Sequence, residues 1–203
     1  LAVARNIVST NRWVHEGRWQ TAIGVDVCGK TLGLMGFGAI AKNVARRANG
    51  FGMKVLAYDP YVKELPEEFR SYVTLCSENE VISGCDFLSL HLPLNDETRN
   101  MISAPQLASM KAGAYVINAA RGGIVNEKDL YEALVSGHIA GAAMDVSEVE
   151  PMAAENPLRT LDNVIITPHI GMYSKEAIGA VSLICAQNVA ACAVGAELKF
   201  RVV

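Results

Sequence analysis

The sequence predicts an α/β domain: a doubly wound parallel sheet with helices on both faces. Three observations predict it. Short runs of about five residues, apolar throughout, recur along the chain and suit strands buried on both faces. Helical patterns with their own start and stop signals separate these runs, as parallel strands require. Gly36-Phe37-Gly38 ends the first apolar run and opens a helical pattern, so a strand, a tight turn and a helix follow one another.

The elements follow in order. Residues 1–19 read as an amphipathic helix ending near Gly17, and a polar loop continues to Lys30. Residues 31–35 are a strand that runs into glycines. Residues 40–49 are helical, with Gly50 placed to cap them. Residues 54–58 are a strand stopped by Asp59-Pro60. Ser77-Glu78-Asn79-Glu80 is a capping box opening a short helix that Gly84 closes, and residues 86–90 are a buried-type strand. Ser103-Ala104-Pro105-Gln106 is a second capping box, with Pro105 in the first turn. Residues 114–117 form a strand. Asn126 starts a helix that ends at Ser136-Gly137. Residues 139–144 and 164–166 are two more strands, and a long helix begins near Ser174. There is no internal repeat and no low-complexity segment.

Bulk properties exclude several classes. The 203 residues suit one large domain, and the net charge of −3 comes without a dense basic run to neutralise phosphates, which argues against nucleic acid. Arg46-Arg47 is an isolated pair on a predicted helix and reads as a solvated face. No apolar run reaches the roughly 18–20 residues of a membrane span. The longest apolar-rich stretch, 177–194, is interrupted by Ser182, Gln187 and Asn188 and reads as a buried or interface helix. Five scattered cysteines, none in a C-x-x-C pair, fit free thiols in a reducing cytoplasm, with no disulfide framework and no metal site. The chain starts at Leu1, without Met and within a helical pattern, and reads as a piece of a longer protein.

Gly36-Phe37-Gly38-Ala39-Ile40-Ala41 fits G-x-G-x-x-G/A, with a strand before it, a helix after it and a second strand ending in Asp59. Each part has a physical job. Gly36 permits the tight turn, and Gly38 lets a pyrophosphate approach the backbone. Ala41 allows close helix–strand packing. Ala39 and Ile40 open a helix whose free N–H groups and dipole attract phosphates. Asp59 can accept from the ribose hydroxyls and would repel a 2′-phosphate, so NAD is favoured over NADP. The competing reading, an ordinary corner with an unrelated Asp, does not account for this combination. Gly33 lies within the strand run and is assigned no ligand.

Three stretches in the second half carry candidate chemistry. They are Asn118-Ala119-Ala120-Arg121-Gly122-Gly123, Asp145-Val146-Ser147-Glu148-Val149-Glu150-Pro151 and Thr167-Pro168-His169-Ile170-Gly171. Together they offer a cation, a carboxylate and an imidazole. Such a set can bind a small carboxylate, orient an imidazole and move a proton at neutral pH.

With the glycine turn, the segment His91-Leu92-Pro93-Leu94 and Thr98, these stretches occur in the order and spacing of the D-isomer-specific 2-hydroxyacid dehydrogenases. The whole chain, 1–203, resembles that family's NAD-binding domain, a Rossmann-like fold. The resemblance implies that most of the substrate domain lies before Leu1. Residues 1–19 then match the connecting helix, and residues 174–203 the helix and tail that lead back.

The resemblance also assigns roles. Arg121 matches the catalytic arginine that grips the carboxylate and keto oxygen of a 2-oxo acid. His169 matches the proton donor and acceptor. Glu150, the acid immediately before Pro151, matches the carboxylate that orients His169 and raises its pKa, which leaves Glu148 as a solvated loop acid. Asp145 matches a contact to the nicotinamide amide, and Ala119 and Ala120 match backbone contacts near its ribose. Leu92 and Pro93 match the adenine pocket. Thr98 either bonds locally or lies near the cofactor, and Gly171 groups with the cofactor residues. His91 itself is not assigned to catalysis, and His15 and His138 read as surface residues.

Two departures bear on the subfamily: Ser147 where members often have an aromatic residue, and Met172-Tyr173-Ser174 after His-Ile-Gly. The implied activity is NAD-dependent hydride transfer to or from a D-2-hydroxy acid of the phosphoglycerate, hydroxypyruvate/glyoxylate or lactate type. Residues 51–54 and 58–60 lean toward phosphoglycerate dehydrogenase-like members. The rival is an NAD-sensing, corepressor-type binding protein. Members commonly form homodimers through this domain.

Overall fold

The computed structural model describes residues 1–199. It divides into two compact units, Leu1–Pro168 and a second that begins at His169. Residues 200–203 of the expected tail lie outside the described residues.

The first unit is a seven-stranded parallel sheet with helices between its strands. In chain order the elements are α1 (Ile7–His15), β1 (Thr31–Met35), α2 (Ala39–Gly50), β2 (Lys54–Tyr58), β3 (Val73–Leu75), α3 (Glu78–Gly84), β4 (Phe87–Leu90), α4 (Ala104–Ser109), β5 (Ala114–Asn118), α5 (Glu127–Val135), β6 (Ile139–Met144) and β7 (Val164–Ile166). The spatial order is β3-β2-β1-β4-β5-β6-β7. Strand order reverses between β1 and β4, where Met35 pairs with Leu90 on one side and Tyr58 on the other. In a doubly wound sheet a ligand binds outside the carboxyl ends of the strands at this reversal.

Both sheet faces are covered, and β1 shows why its run is apolar throughout. Leu32 and Leu34 enter the core cluster that holds Ala41, Ala45 and Phe37. Met35 points into the opposite cluster, with Val81, Leu88 and Ile102. Period-two alternation thus buries both sides of one strand. Gly33 has a packing role: a Cβ there would lie 2.8 Å from Cys85 Cβ and 2.9 Å from Val81 Cγ1. Only a residue without a side chain lets α3 sit this close to the sheet.

The punctuation signals are mostly realised. Glu80 accepts from the Ser77 N–H at 2.7 Å, and Gln106 accepts from the Ser103 hydroxyl at 2.8 Å. Asn126 accepts from the Asp129 N–H at 3.0 Å and so caps α5.

Three expectations need correction. The first helix is shorter than residues 1–19, because Asn6 adopts φ 52° and a separate turn precedes Ile7. Gly50 belongs to α2; the left-handed residue that ends that region is Gly52, at φ 69°. Strand β3 was not anticipated. It is three residues long at the sheet edge, too short for a periodic signal.

In the second unit, α6 spans Lys175–Ala193, and its N-cap Ser174 accepts from the Ala177 N–H at 3.0 Å. None of its residues is buried, which corrects the expectation of a buried helix and leaves that of an interface helix. By length and a mean hydropathy of 1.4, α6 is long and apolar enough to cross a membrane. Composition of this kind is shared by helices that pack against protein.

Candidate active site

The glycine turn is built by a close approach of main chains. Gly36 adopts φ 91°, and its N–H donates to Tyr58 O at 2.7 Å. A Cβ at Gly36 would lie 2.7 Å from His91 O and 3.1 Å from Leu92 Cδ2. His91 N–H in turn donates to Met35 O at 2.8 Å. The His91-Leu92-Pro93 segment therefore packs directly on the turn. Phe37 is fully buried edge-on against Phe69, with ring centroids 5.3 Å apart, and so pins the turn to the core.

The residues that face outward from this turn suit a dinucleotide. A Cβ at Gly38 would meet nothing within 4 Å, so its Cα borders open space. α2 begins at the next residue, and its first turn carries no acidic side chain to compete with an anion. Its leading N–H groups have no helical acceptors. Ile40 is 71% exposed, whereas Ala41 is buried against the sheet. Asp59 accepts from the Phe37 N–H at 2.8 Å and the Tyr61 N–H at 2.9 Å, one bond to each carboxylate oxygen. Each oxygen keeps lone-pair capacity for a ribose hydroxyl. The set fits the adenosine and pyrophosphate of NAD.

Three further expectations are sharpened. Thr98 is buried and serves its own loop: it donates to Pro93 O at 2.7 Å and accepts from the Asn95 N–H at 2.9 Å. Through the first of these bonds it fixes the main chain at Pro93. His91 is half-buried 3.0 Å from Ser89 Oγ, and desolvation pushes its pKa down to about 4. His138 is tied to Met110 O at 3.1 Å, so it is more than the surface residue expected.

Arg121 and Glu150 stand on two loops at the carboxyl ends of β5 and β6. The exposed Arg121 projects from a loop whose main chain is braced by buried Asn118. Asn118 Nδ2 donates to Arg121 O at 2.9 Å, and its Oδ1 accepts from the Ala120 N–H at 3.1 Å. Gly122 then crosses the second loop at the closest approach in the site. A Cβ there would fall 1.7 Å from Ser147 O. On that second loop Ser147 N–H donates to Glu150 Oε1 at 3.2 Å, and Ser147 Oγ donates to Val149 O at 2.6 Å. The Glu150-Pro151 peptide is cis. Ser147, the departure noted in the sequence, thus ties the loop that carries Glu150. Asp145 N–H donates to Asn118 O at 2.9 Å, and its Oδ1 accepts from Thr167 Oγ1 at 2.5 Å.

Glu148 is exposed, as expected of a loop acid, and it also has a structural partner. Its Oε1 accepts from the Glu127 N–H at 2.8 Å, and its own N–H donates to Glu127 Oε1 at 2.7 Å. This reciprocal pair satisfies the first turn of α5. Arg46 likewise is more than a solvated cation: it makes a two-pronged bond to Glu68, at 2.8 and 3.1 Å, and lies 5.0 Å over the Phe69 ring. Sequence reasoning missed Asn118, Gly122 and Phe37 as builders of the site. The only available signals were an Asn at a strand end and glycines beside an Arg.

His169 opens the second unit. It adopts φ 55°, in the left-handed region where His is commoner than most residues, and its side chain is exposed. Tyr173 N–H closes the following turn on Ile170 O at 2.8 Å. A constrained left-handed residue between Pro168 and Gly171 is a frequent mark of a functional position.

The fold and the glycine turn define a dinucleotide-binding domain. Residues 1–171 match the family model described as D-isomer specific 2-hydroxyacid dehydrogenase, NAD binding domain. The chain belongs to that family, as its NAD-binding part. It is 44% identical, over 93% of its length, to D-3-phosphoglycerate dehydrogenase of Methanocaldococcus jannaschii, of which the match covers 36%. It is 42% identical, over 94% of its length, to glyoxylate reductase of Korarchaeum cryptofilum, of which the match covers 59%. A solved structure of D-lactate dehydrogenase with NAD+ from Lactobacillus jensenii superposes with a TM-score of 0.88 at 32% identity, covering all of this chain and 65% of that one. The chain therefore spans about a third to two thirds of the length of these proteins.

Proposed function

We propose that this chain is the cofactor-holding part of an NAD-dependent dehydrogenase of D-2-hydroxy acids. One observation carries the proposal. The loops that carry a guanidinium and a carboxylate are adjacent and interlocked through Gly122 and Ser147, at the carboxyl end of the sheet that also bears the glycine turn. Family membership supports it.

When bound, NAD supplies or accepts the hydride at the substrate's C2. The chain's own residues do the rest. The planar fork of Arg121 holds the substrate carboxylate and draws electron density toward the keto oxygen. His169 gives a proton to that oxygen in reduction and removes it in oxidation, a task suited to an imidazole near neutral pH. The family resemblance gives Glu150 the role of the carboxylate that orients the imidazole. Asp145 and the main chain at Ala119 and Ala120 face the nicotinamide side, Leu92 and Pro93 the adenine side, and Gly171 steadies the segment after His169. A further domain of the full protein closes over this face and excludes water.

The substrate is a small 2-oxo or 2-hydroxy acid of the phosphoglycerate, hydroxypyruvate/glyoxylate or lactate type. Functioning in the cytoplasm and a homodimer built through this domain complete the reading. The corepressor alternative draws no support from the relatives named above, which are two enzymes of 2-oxo or 2-hydroxy acids and a lactate dehydrogenase.

The test is steady-state NADH oxidation by the full-length protein with a panel of 2-oxo acids. Turnover is expected, with a loss of about 100-fold or more in His169→Asn, the scale of general acid–base catalysis. Failure of every 2-oxo acid, with Arg121→Gln altering only a protein partner interaction, would establish the binding-protein reading instead. Tighter binding of NADP than NAD would remove the role given to Asp59.

A further inference from the structure

We propose that Asn118 is the positioning residue for Arg121, its side-chain amide fixing the main chain from which the guanidinium projects. This rests on the reading of Arg121 as the substrate-binding cation.

The anchor end is rigid. Asn118 is the last residue of β5, paired with Leu90 on one neighbouring strand and Met144 on the other. Its carbonyl accepts from the Asp145 N–H at 2.9 Å. Its side chain has no exposure to solvent. From that fixed point the amide reaches forward along its own loop, accepting from the Ala120 N–H at 3.1 Å and donating to Arg121 O at 2.9 Å. Both bonds brace the two residues that lead to the guanidinium. Arg121 adds a bond from its own Nη1 to Ala120 O at 2.6 Å.

The residue type follows from this geometry. The loop presents an N–H and a C=O side by side, and a side-chain amide of this length answers both at once with two separate atoms, which a single hydroxyl oxygen cannot span. The rotated amide would set NH2 against N–H and oxygen against oxygen, so its orientation is fixed. Asp would offer an acceptor where a donor is needed. Gln would carry the amide one methylene too far. Because the Asn118 side chain has no exposure to solvent, an apolar replacement brings no water in its place, and the Ala120 N–H and Arg121 C=O lose their partners within the fold. The exposed arginine has long, flexible torsions, so the direction of its main chain is what the fold controls. Fork-to-fork recognition of a carboxylate is the interaction that suffers when that direction drifts.

The experiment is a double-mutant cycle in the full-length protein, reading kcat/KM for the best 2-oxo acid and for its 2-oxo amide. Asn118→Leu, close in shape and without either bond, is expected to lower kcat/KM for the acid by about 30-fold or more, since misplacement near 1 Å costs on the order of 100-fold. In an Arg121→Ala background the same substitution should change kcat/KM by less than about 2-fold, because a residue acting through Arg121 has nothing left to position. The preference for acid over amide should fall with Asn118→Leu, whereas a general loss of structure would lower both substrates together. Where Asn118→Leu does not fold, Asn118→Ser enters the same cycle. Equal losses with and without Arg121, or no loss at all, overturn the proposal. An Arg121→Ala variant with unimpaired turnover would instead refute the role of Arg121 itself, and is distinguishable because it precedes the cycle.

Discussion

Replacing Gly122 by Ala tests whether the loops that carry Arg121 and Glu150 act as one unit. A Cβ at this position would sit 1.7 Å from Ser147 O and 2.4 Å from Ser147 C. Carbon against a carbonyl oxygen rests at roughly 3.3 Å, so the loops must part by about 1.6 Å. The contact is backbone to backbone, with no flexible side chain to absorb the shift. Arg121 is the preceding residue, and Ser147 N–H holds Glu150 at 3.2 Å, so both functional groups move. A misplacement near 1 Å can cost about 100-fold in rate, or about 2.7 kcal/mol of transition-state stabilisation. The assay is kcat/KM of the full-length protein for a 2-oxo acid, with NADH affinity and thermal unfolding measured alongside. We expect a loss of about 100-fold with NADH affinity changed only a few-fold, because the glycine turn lies on a different strand. Gly122→Ala with undiminished turnover would refute the interlock.

Gly36→Ala should weaken NAD binding and lower the unfolding temperature, since it combines a positive φ with a clash 2.7 Å from His91 O; unchanged affinity would contradict the account of the turn. His91 titrates near 4, below its value in an unfolded chain, so between about pH 6.5 and 4 the unfolded state binds the extra proton. Stability is therefore full above about pH 6.5 and falls as the pH drops, by at most about 1.4 kcal/mol per unit for this group. Denaturant unfolding at pH 7 and 5 should show a smaller pH effect in His91→Asn than in the parent. Glu148→Ala should destabilise the protein by about 1 kcal/mol or less by removing the acceptor of the Glu127 N–H in the first turn of α5, leaving activity near normal. A catalytic loss as large as that of Glu150→Gln would show that the two acids had been assigned the wrong way round.

The strands and most helix starts were legible because they depend on local rules. Apolar runs, capping boxes and an Asn N-cap act within a few residues of themselves, and residues 31–35, 54–58, 139–144 and 164–166 fold as expected. The misplaced cap at Gly50 shows the limit of such rules. Two glycines lie close together there, and only the observed φ at Gly52 separates them. β3 left no trace, because a three-residue edge strand is specified by its neighbour β2 and not by its own sequence.

By itself the sequence determined the class of fold, the dinucleotide turn with Asp59, and the identities of Arg121, Glu150 and His169 as candidate chemistry. The first two rest on residue type and spacing along the chain, and the choice of these three residues, Glu150 over Glu148 included, on the resemblance to the family. Tertiary structure alone decided which groups hold that chemistry in place. Glu148 became the acceptor for the Glu127 N–H because α5 begins opposite it. Thr98 became a loop tie to Pro93. Asn118 and Gly122 became the supports of Arg121, through one bridging amide and one missing side chain. Contacts between residues far apart in sequence depend on how parallel strands bring their carboxyl-end loops together, and spacing along the chain does not encode that distance.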